Sequence, residues 1–309
     1  MKKLAVFLLV AMMSLGGTTV LAQEDEPLYF GASFHSTYHE FFANMIQGMN
    51  DAAAAHNVKL TIVDENGDPG MQYASMENFI QQEMDGIILL AVDPESLVSI
   101  VEDCVDTYGI PVVCCDGSIS SERITTFVGS DSYGMGTSCG EAFKAYCEEN
   151  GITQAKIGVT TWKKSTGQQQ RLQGFKDVLA TMGDGFQIVN EQDGDARDTA
   201  MTSAENIIQA DPDIDFLFGT NEGNVLGCYA AVQAAGLTEQ IKVFGIDISD
   251  DAIAGIEAGD IPFVITQLPY EMGVKCVEVL VGAINGETFD AKTYIETPAV
   301  TIENVADYK

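Results

Sequence analysis

Short apolar runs alternate with longer amphipathic segments along most of this 309-residue chain. Runs such as 86–91 and 111–115 are almost entirely apolar, and their length suits buried strands. Between such runs, apolar residues recur at helical spacing, as in segment 41–53. Strands buried on both faces and separated by helices form parallel sheets covered on both sides. Because the pattern occurs in both halves of the chain, we predict two doubly wound α/β lobes.

The predicted elements follow directly from this alternation. Strands are expected at 29–34, 59–64, 86–91, 111–115, 125–129, 156–160, 187–191, 216–219, 242–246 and 263–268. Helices are expected at 41–53, 71–83, 94–108, 135–150, 168–182, 197–210, 221–235, 249–258 and 269–285. Pro94 and Pro269 stand at helix starts, where proline is tolerated.

The first 22 residues have the organisation of a secretory signal peptide. Lys2 and Lys3 precede the apolar stretch 4–13, and Ala22 ends a segment of small and compact residues. The apolar stretch is too short to span a bilayer. No cysteine lies near the expected cleavage point, which argues against a lipid-modified N-terminus. We predict cleavage near Ala22 and a mature protein that is soluble outside the cytoplasmic membrane.

The charge balance excludes one large class of partners. The chain has 46 Asp and Glu against 15 Lys and Arg, a formal net charge of −31. Nucleic-acid binding requires clustered basic residues. We therefore expect no nucleic-acid partner.

The seven cysteines do not indicate a metal or redox motif. An odd number cannot all pair, and no C-x-x-C spacing occurs. Cys114 and Cys115 lie in a predicted buried strand. We expect mostly free, buried thiols, and a Cys139–Cys147 disulfide stays open as an alternative.

Polar side chains follow several of the predicted strands. Asp116 comes after 111–115, and Asp247 comes after 242–246. Asn221 similarly follows the strand at 216–219. Open α/β sheets bind ligands at the carboxyl ends of their strands. Two lobes with facing strand ends would enclose a ligand between them.

No constellation of residues indicates catalysis. The chain lacks a P-loop and a nucleophile elbow, and no nucleophile, base and oxyanion site can be assembled. His35 and His39, with Glu40, are open to three interpretations: a metal site, hydrogen bonding in a ligand pocket, or a purely structural role at the helix start. The pocket interpretation is favoured, because helical spacing is not assured in a strand-to-helix loop. We expect no catalytic residue, no metal and no cofactor.

Several motifs together resemble the ribose-binding subgroup of the periplasmic solute-binding proteins that serve ABC sugar importers. Each motif is weak alone, but their order and spacing along the mature chain match that family. They are Glu40-Phe41-Phe42, 109–116, 129–131, 171–175, Asn221-Glu222, 245–247, 267–269 and 296–305.

The resemblance implies the type I periplasmic binding protein fold, with two lobes joined by a hinge of three chain crossings. The crossings are expected near 130–131, near Gln267 and near 297–298. The N-terminal lobe then comprises 27–130 plus 268–296. The C-terminal lobe comprises 131–267 plus 297–309. The implied partners are a small sugar or polyol and the permease subunits of an ABC transporter, with the chain itself a monomer.

The resemblance also assigns ligand-binding roles to individual residues. Phe41 and Phe42 match an aromatic pair that packs on the faces of a sugar ring. Asp116 and Asp247 match carboxylates that accept hydrogen bonds from sugar hydroxyls. The remaining matches are a guanidinium donor and two amides, namely Arg171, Asn221 and Gln267.

The chain departs from the ribose-binding pattern at several of these positions. Gly117 stands where relatives have an arginine after the first-lobe aspartate. His35 and His39 replace polar residues before the aromatic pair. Asp195 occupies an aromatic position of the second lobe, which leaves Trp162 as a replacement wall. The ligand therefore stays open among pentoses, hexoses, cyclitols, furanosyl signalling molecules and, through Asp195, amine-bearing sugars.

Three other functions compete with transport. A sensor would present the same closed form to a chemoreceptor or membrane kinase, and the sequence does not separate the two roles. An intracellular sugar-responsive repressor shares the architecture. The signal peptide and the lack of a helix-turn-helix segment before Tyr29 oppose it. An enzyme is the least favoured alternative.

Overall fold

The computed structural model describes residues 26–38 and 40–308, and within them the strands form two six-stranded sheets. The predicted signal peptide and His39 lie outside the described residues, and so does the side chain of Glu40. The first sheet contains β1 (Leu28–Phe34), β2 (Val58–Asp64), β3 (Gly86–Leu90), β4 (Val112–Cys115), β5 (Thr126–Gly129) and β11 (Lys292–Tyr294). The second contains β6 (Ala155–Thr161), β7 (Phe186–Asp193), β8 (Phe216–Gly219), β9 (Lys242–Ile246), β10 (Phe263–Ile265) and β12 (Ala299–Thr301).

Helices cover both faces of each sheet. The first lobe, built on the first sheet, contains α1 (Glu40–Ala55), α2 (Pro69–Gln81), α3 (Val98–Glu102) and α9 (Pro269–Ile284). The second lobe contains α4 (Ser132–Glu149), α5 (Thr166–Leu179), α6 (Arg197–Ala210), α7 (Glu222–Ala235) and α8 (Asp250–Ala258). Each sheet has one apolar core on either face. The predicted fold class of two doubly wound lobes is confirmed.

The strand order is nearly the same in both sheets. The first sheet runs β2-β1-β3-β4-β5-β11, with all strands parallel. The second runs β7-β6-β8-β9-β10-β12, and only β12 is antiparallel to its neighbour β10. Because parallel strands point in one direction, the carboxyl ends of most strands of a sheet meet at one edge.

The chain passes between the sheets three times, in the segments 130–131, 266–268 and 295–298. Hydrogen bonds tie these segments to the sheets and to each other. The N–H of Ile295 donates to the carbonyl of Gly129 at 2.9 Å, and that of Thr266 donates to Pro298 at 3.0 Å. The crossings therefore lie side by side and form the three-crossing hinge.

Three expectations about local structure need correction. The predicted helix at 94–108 begins only at Val98, because residues 94–97 form a turn in which the Asp93 carboxylate accepts the N–H groups of Glu95 and Ser96. It then continues as a π-helix, Asp103–Tyr108. The strand predicted at 263–268 ends at Ile265, where the second crossing begins. The three-residue strands β11 and β12 were not predicted, since so short a run cannot display an alternation.

The cysteines are free and buried, as expected. Cys139 and Cys147, the alternative disulfide, both lie on α4. Residues eight apart on a helix are separated by about 12 Å along its axis, well beyond the ~7 Å limit for a disulfide. In the described part of the chain, no helix combines the length and apolarity needed to cross a membrane.

Candidate functional site

Two aspartates occupy equivalent positions in the two lobes. Asp116 directly follows β4 and Asp247 directly follows β9, the fourth strand of each sheet. Both have left-handed backbones, with φ of 60° and 73°, which few residues other than glycine adopt. Their N–H groups donate to the neighbouring strand, at Val128 (2.9 Å) and Ile265 (2.7 Å) respectively. Such strained positions at the carboxyl edge of a sheet cluster at ligand sites.

The carboxylate of Asp247 is fixed by one donor of the second lobe and one donor of the second crossing. Arg171 Nη1 donates to Asp247 Oδ2 at 3.1 Å, and Gln267 Nε2 donates to Oδ1 at 2.8 Å. The same Arg171 nitrogen donates to the carbonyl of Thr220 at 3.0 Å. The structure therefore brings together Arg171, Asp247 and Gln267, three of the residues predicted for the site.

The position of Arg171 depends on close packing between α4 and α5. A Cβ atom on Gly136 would lie 1.9 Å from the carbonyl oxygen of Arg171, and one on Gly174 would lie 2.3 Å from that of Tyr133. Only glycine permits this backbone-to-backbone approach. The Arg171 side chain is 13% exposed and contacts residues that follow β8 and β9. Its Nε atom is buried and has no hydrogen-bond partner among the described residues.

The aromatic pair of the first lobe stands at the end of β1. Phe41 and Phe42 are partly buried at the start of α1, and their rings meet edge to face at 5.3 Å. The His35 ring contacts Phe42 in the same manner at 4.8 Å. His35 Nδ1 is buried and has no partner in the described part of the chain. The structure therefore places His35 in contact with the aromatic pair. His39 lies outside the described residues, and so does the alternative metal site that depends on it.

The remaining predicted residues of the second lobe are held by local contacts. Asn221 caps α7, and its Oδ1 accepts from the backbone N–H of Asn224 at 3.0 Å. Asp195 Oδ1 accepts the hydroxyl of Thr199 at 2.8 Å, next to the start of α6. Trp162 follows β6 and is 38% exposed. Asn221 and Trp162 stand at the carboxyl edge of the sheet, and Asp195 follows the edge strand β7.

Gln168 is a supporting residue that the sequence analysis missed. Its buried Oε1 accepts from the Trp162 N–H at 2.8 Å and from the Thr220 hydroxyl at 2.7 Å. It therefore links the ends of β6 and β8, which carry Trp162 and Asn221. The available signal was its position one helical turn before Arg171, because residues at i and i+3 share a helix face.

The charge of Asp116 interacts with groups of both lobes. Asp116 keeps solvent access, yet the surrounding protein desolvates its carboxyl group and raises its pKa above the ordinary 3.8. The charges of His35 and Arg171 act to lower the pKa of Asp116, whereas the charge of Asp247 acts to raise it further. Because Asp247 and Arg171 belong to the second lobe, the two carboxyl edges face each other across a cleft.

Asp116→Asn should increase the free energy of unfolding of the ligand-free protein at neutral pH. Since the pKa of Asp116 is raised on folding, the folded state binds the proton more tightly. The stability contributed by Asp116 is present below its ordinary pKa and is lost as the pH rises through the raised value. Asparagine accepts the left-handed backbone. Urea unfolding of both proteins at acidic and neutral pH measures the effect.

Asp93→Asn is the matched control with the opposite sign. Hydrogen bonds from the backbone of Ser96 and Glu95 lower the pKa of Asp93. Its contribution to stability is present above the ordinary pKa and is lost as the pH falls, so this variant should be less stable at neutral pH. Changes of the same sign in both variants would contradict the electrostatic explanation.

Comparison with known proteins gives one consistent family. The model of the periplasmic binding protein domain matches residues 30–288. The ABC transporter periplasmic-binding protein YphF of Escherichia coli strain K12 is 29% identical over 256 residues, which cover 81% of this chain and 78% of YphF. The ribose import binding protein RbsB of Bacillus subtilis strain 168 is 28% identical, with 86% of each chain covered.

Solved structures agree with this match. An ABC transporter solute-binding protein from Bacillus halodurans C-125, solved with bound myo-inositol, superposes with a TM-score of 0.73 at 28% identity. The alignment covers 92% of this chain and 98% of that one. The arabinose-binding protein AraP of Geobacillus stearothermophilus gives a TM-score of 0.81 at 21% identity, covering 92% and 99% of the two chains. At that identity the likeness is one of fold.

Proposed function

The chain belongs to the periplasmic binding protein family, and from this membership we propose that it is the extracytoplasmic substrate-binding protein of an ABC-type sugar importer. Its ligand is a monosaccharide or similar polyol, as the names of its relatives suggest. The observation that carries the proposal is the pair Asp116 and Asp247, which stand at equivalent strand ends of the two lobes. It binds and releases this ligand without changing it chemically.

The polar groups of the cleft suit a ligand with many hydroxyl groups. Carboxylates accept hydrogen bonds, guanidinium groups donate them, and amides do both. Asp116 and Asp247 accept from hydroxyls, Arg171 donates, and Gln267 contributes its amide. Phe41 and Phe42 supply apolar surface for the C–H faces of a sugar ring.

The other predicted contacts complete the proposed site. His35 extends the first-lobe side of the cleft, and His39, which lies outside the described residues, stays a predicted ligand contact. Trp162, Asn221 and Asp195 extend the second-lobe side. The capping hydrogen bond of Asn221 leaves its amide group able to bind ligand as well.

Ligand binding closes the two lobes. The proposed rigid units are 27–130 plus 268–296 and 131–267 plus 297–309. The crossing segments absorb the change in backbone angles, so neither core is disturbed. A sugar that contacts both lobes stabilises the closed form in proportion to its preference for that form. The importer's permease recognises the closed protein. A chemoreceptor as a second partner and a monomeric state of the chain stay predictions.

A thermal-shift screen tests the proposed function. The mature protein is mixed with monosaccharides, cyclitols and amino sugars, and with amino acids and metal ions as comparison sets. A ligand at 100 times its dissociation constant should add about 2.7 kcal/mol to the free energy of unfolding. The proposal is wrong if all sugars and polyols fail while amino acids or metal ions stabilise the protein.

A further inference from the structure

The two aspartates of the cleft differ in how they are satisfied. Both oxygens of Asp247 accept hydrogen bonds from side chains, Arg171 of the second lobe and Gln267 of the second crossing. Among residues 26–38 and 40–308, none donates a hydrogen bond to the carboxylate of Asp116. Asp116 and Asp247 therefore share a backbone conformation and a position in their sheets, but the described residues supply hydrogen-bond donors only to the carboxylate of Asp247.

The charges that face Asp116 compensate its negative charge only in part. They belong to His35, Asp247 and Arg171, and the Arg171 guanidinium is already bonded to Asp247 and to the carbonyl of Thr220. Next to Asp116 stands Gly117, whose missing side chain leaves open space: a Cβ there would have only the Ala91 carbonyl oxygen nearby, at 3.9 Å. With His35 neutral, the two carboxylates Asp116 and Asp247 and the guanidinium of Arg171 leave one excess negative charge at the centre of the cleft.

Asp195, the acidic residue at the second-lobe edge of the cleft, is hydrogen-bonded to Thr199 in its own segment. Asp195 Oδ1 accepts the hydroxyl of Thr199 at 2.8 Å, and the Asp195 N–H donates to the same hydroxyl oxygen at 3.2 Å. Asp116 differs, because its carboxylate accepts no hydrogen bond from the described residues and is exposed, so water solvates it in the ligand-free protein. A ligand that displaces this water must supply hydrogen-bond donors in its place.

We propose that the ligand is an amine-bearing polyol, an amino sugar or an aminocyclitol, whose ammonium group pairs with Asp116. The inference rests on the proposed function and narrows its substrate class. An ammonium group supplies both the charge and the hydrogen-bond donors that Asp116 lacks, and a charge-assisted bond is stronger than one from a neutral hydroxyl. The same excess of negative charge disfavours sugar acids and sugar phosphates.

Paired ligands test this inference. Glucose is compared with glucosamine, galactose with galactosamine, and myo-inositol with an aminodeoxy-inositol, by calorimetry at a pH where the amines are charged. N-acetylated amino sugars serve as neutral controls. At least one amine should bind about tenfold more tightly than its hydroxyl twin, and acetylation should abolish the gain.

Two variants assign the preference to Asp116. Asp116→Asn removes the charge but keeps a polar group that accepts hydrogen bonds, so the amine and its hydroxyl twin should bind with similar affinity. Gly117→Arg places a guanidinium beside Asp116, where the space is open, and should reduce amine binding while neutral sugars still bind. Both variants are checked for folding by their thermal unfolding.

The outcomes separate this inference from the proposed function. Equal or tighter binding of the neutral twins, or an amine preference that survives in Asp116→Asn, would overturn the inference and leave the proposed function standing. Failure of every neutral and amine-bearing compound would overturn both.

Discussion

Arg171→Ala should weaken binding of the best sugar or polyol found in the screen by about 30- to 1,000-fold, because removing one partner of a partly buried, hydrogen-bonded charge pair costs roughly 2–4 kcal/mol. Arg171 and Asp247 are 13% and 22% exposed, so solvent replaces the lost contact poorly. The variant also leaves Asp247 with the Gln267 donor alone. Calorimetric titration measures the change in affinity.

Arg197→Ala is the matched control for this prediction. Arg197 Nη1 also bonds an aspartate of the second lobe, Asp251, at 2.8 Å, but both side chains are 56% exposed. An exposed pair contributes about 0–1 kcal/mol, and we expect unchanged ligand affinity. Retained affinity in Arg171→Ala, or an equal loss in Arg197→Ala, would remove Arg171 from the site.

Phe244→Ala should reduce the free energy of unfolding of the second lobe by about 3–5 kcal/mol, the cost of removing a large buried side chain. Phe244 is 0% exposed. Its ring stacks on Phe218 at 5.3 Å and on Phe143 at 4.9 Å. It lies on β9, the strand that ends at Asp247, so the same packing supports the ligand site.

The single tryptophan makes this loss measurable for one lobe. Trp162 belongs to the second lobe, so its fluorescence during urea unfolding reports on that lobe. Ile302→Ala, at a side chain that is 63% exposed, should change the free energy of unfolding by less than about 0.5 kcal/mol. If the two variants lose similar stability, Phe244 does not have the central packing role described here.

Much of the fold could be predicted from local pattern. The apolar runs at 86–91 and 242–246 became β3 and β9, and Pro269 begins α9 as expected. The failures occurred where local pattern is weak. The turn at 94–97 has its N–H groups bound by Asp93, and β11 and β12 depend on a sheet edge supplied by distant residues.

Part of the candidate site could also be predicted from local pattern. Asp116 and Asp247 could be placed because a polar residue after a buried strand lies at the carboxyl edge of its sheet. Gln168 was missed, because its role depends on Trp162 and Thr220, which belong to two different strand ends. Its one local signal, the position one helical turn before Arg171, does not reveal those two contacts.

The two lobes and the residues at their strand ends could be inferred from the amino-acid sequence, because hydrophobic period and strand length are local properties of the chain. Which of those residues are paired became clear from the folded protein. Arg171 reaches Asp247 across 76 positions of sequence, through a helix contact that Gly136 permits. That pairing satisfies one aspartate of the cleft and leaves Asp116 to the ligand, since contacts between distant residues are fixed by strand order and helix packing.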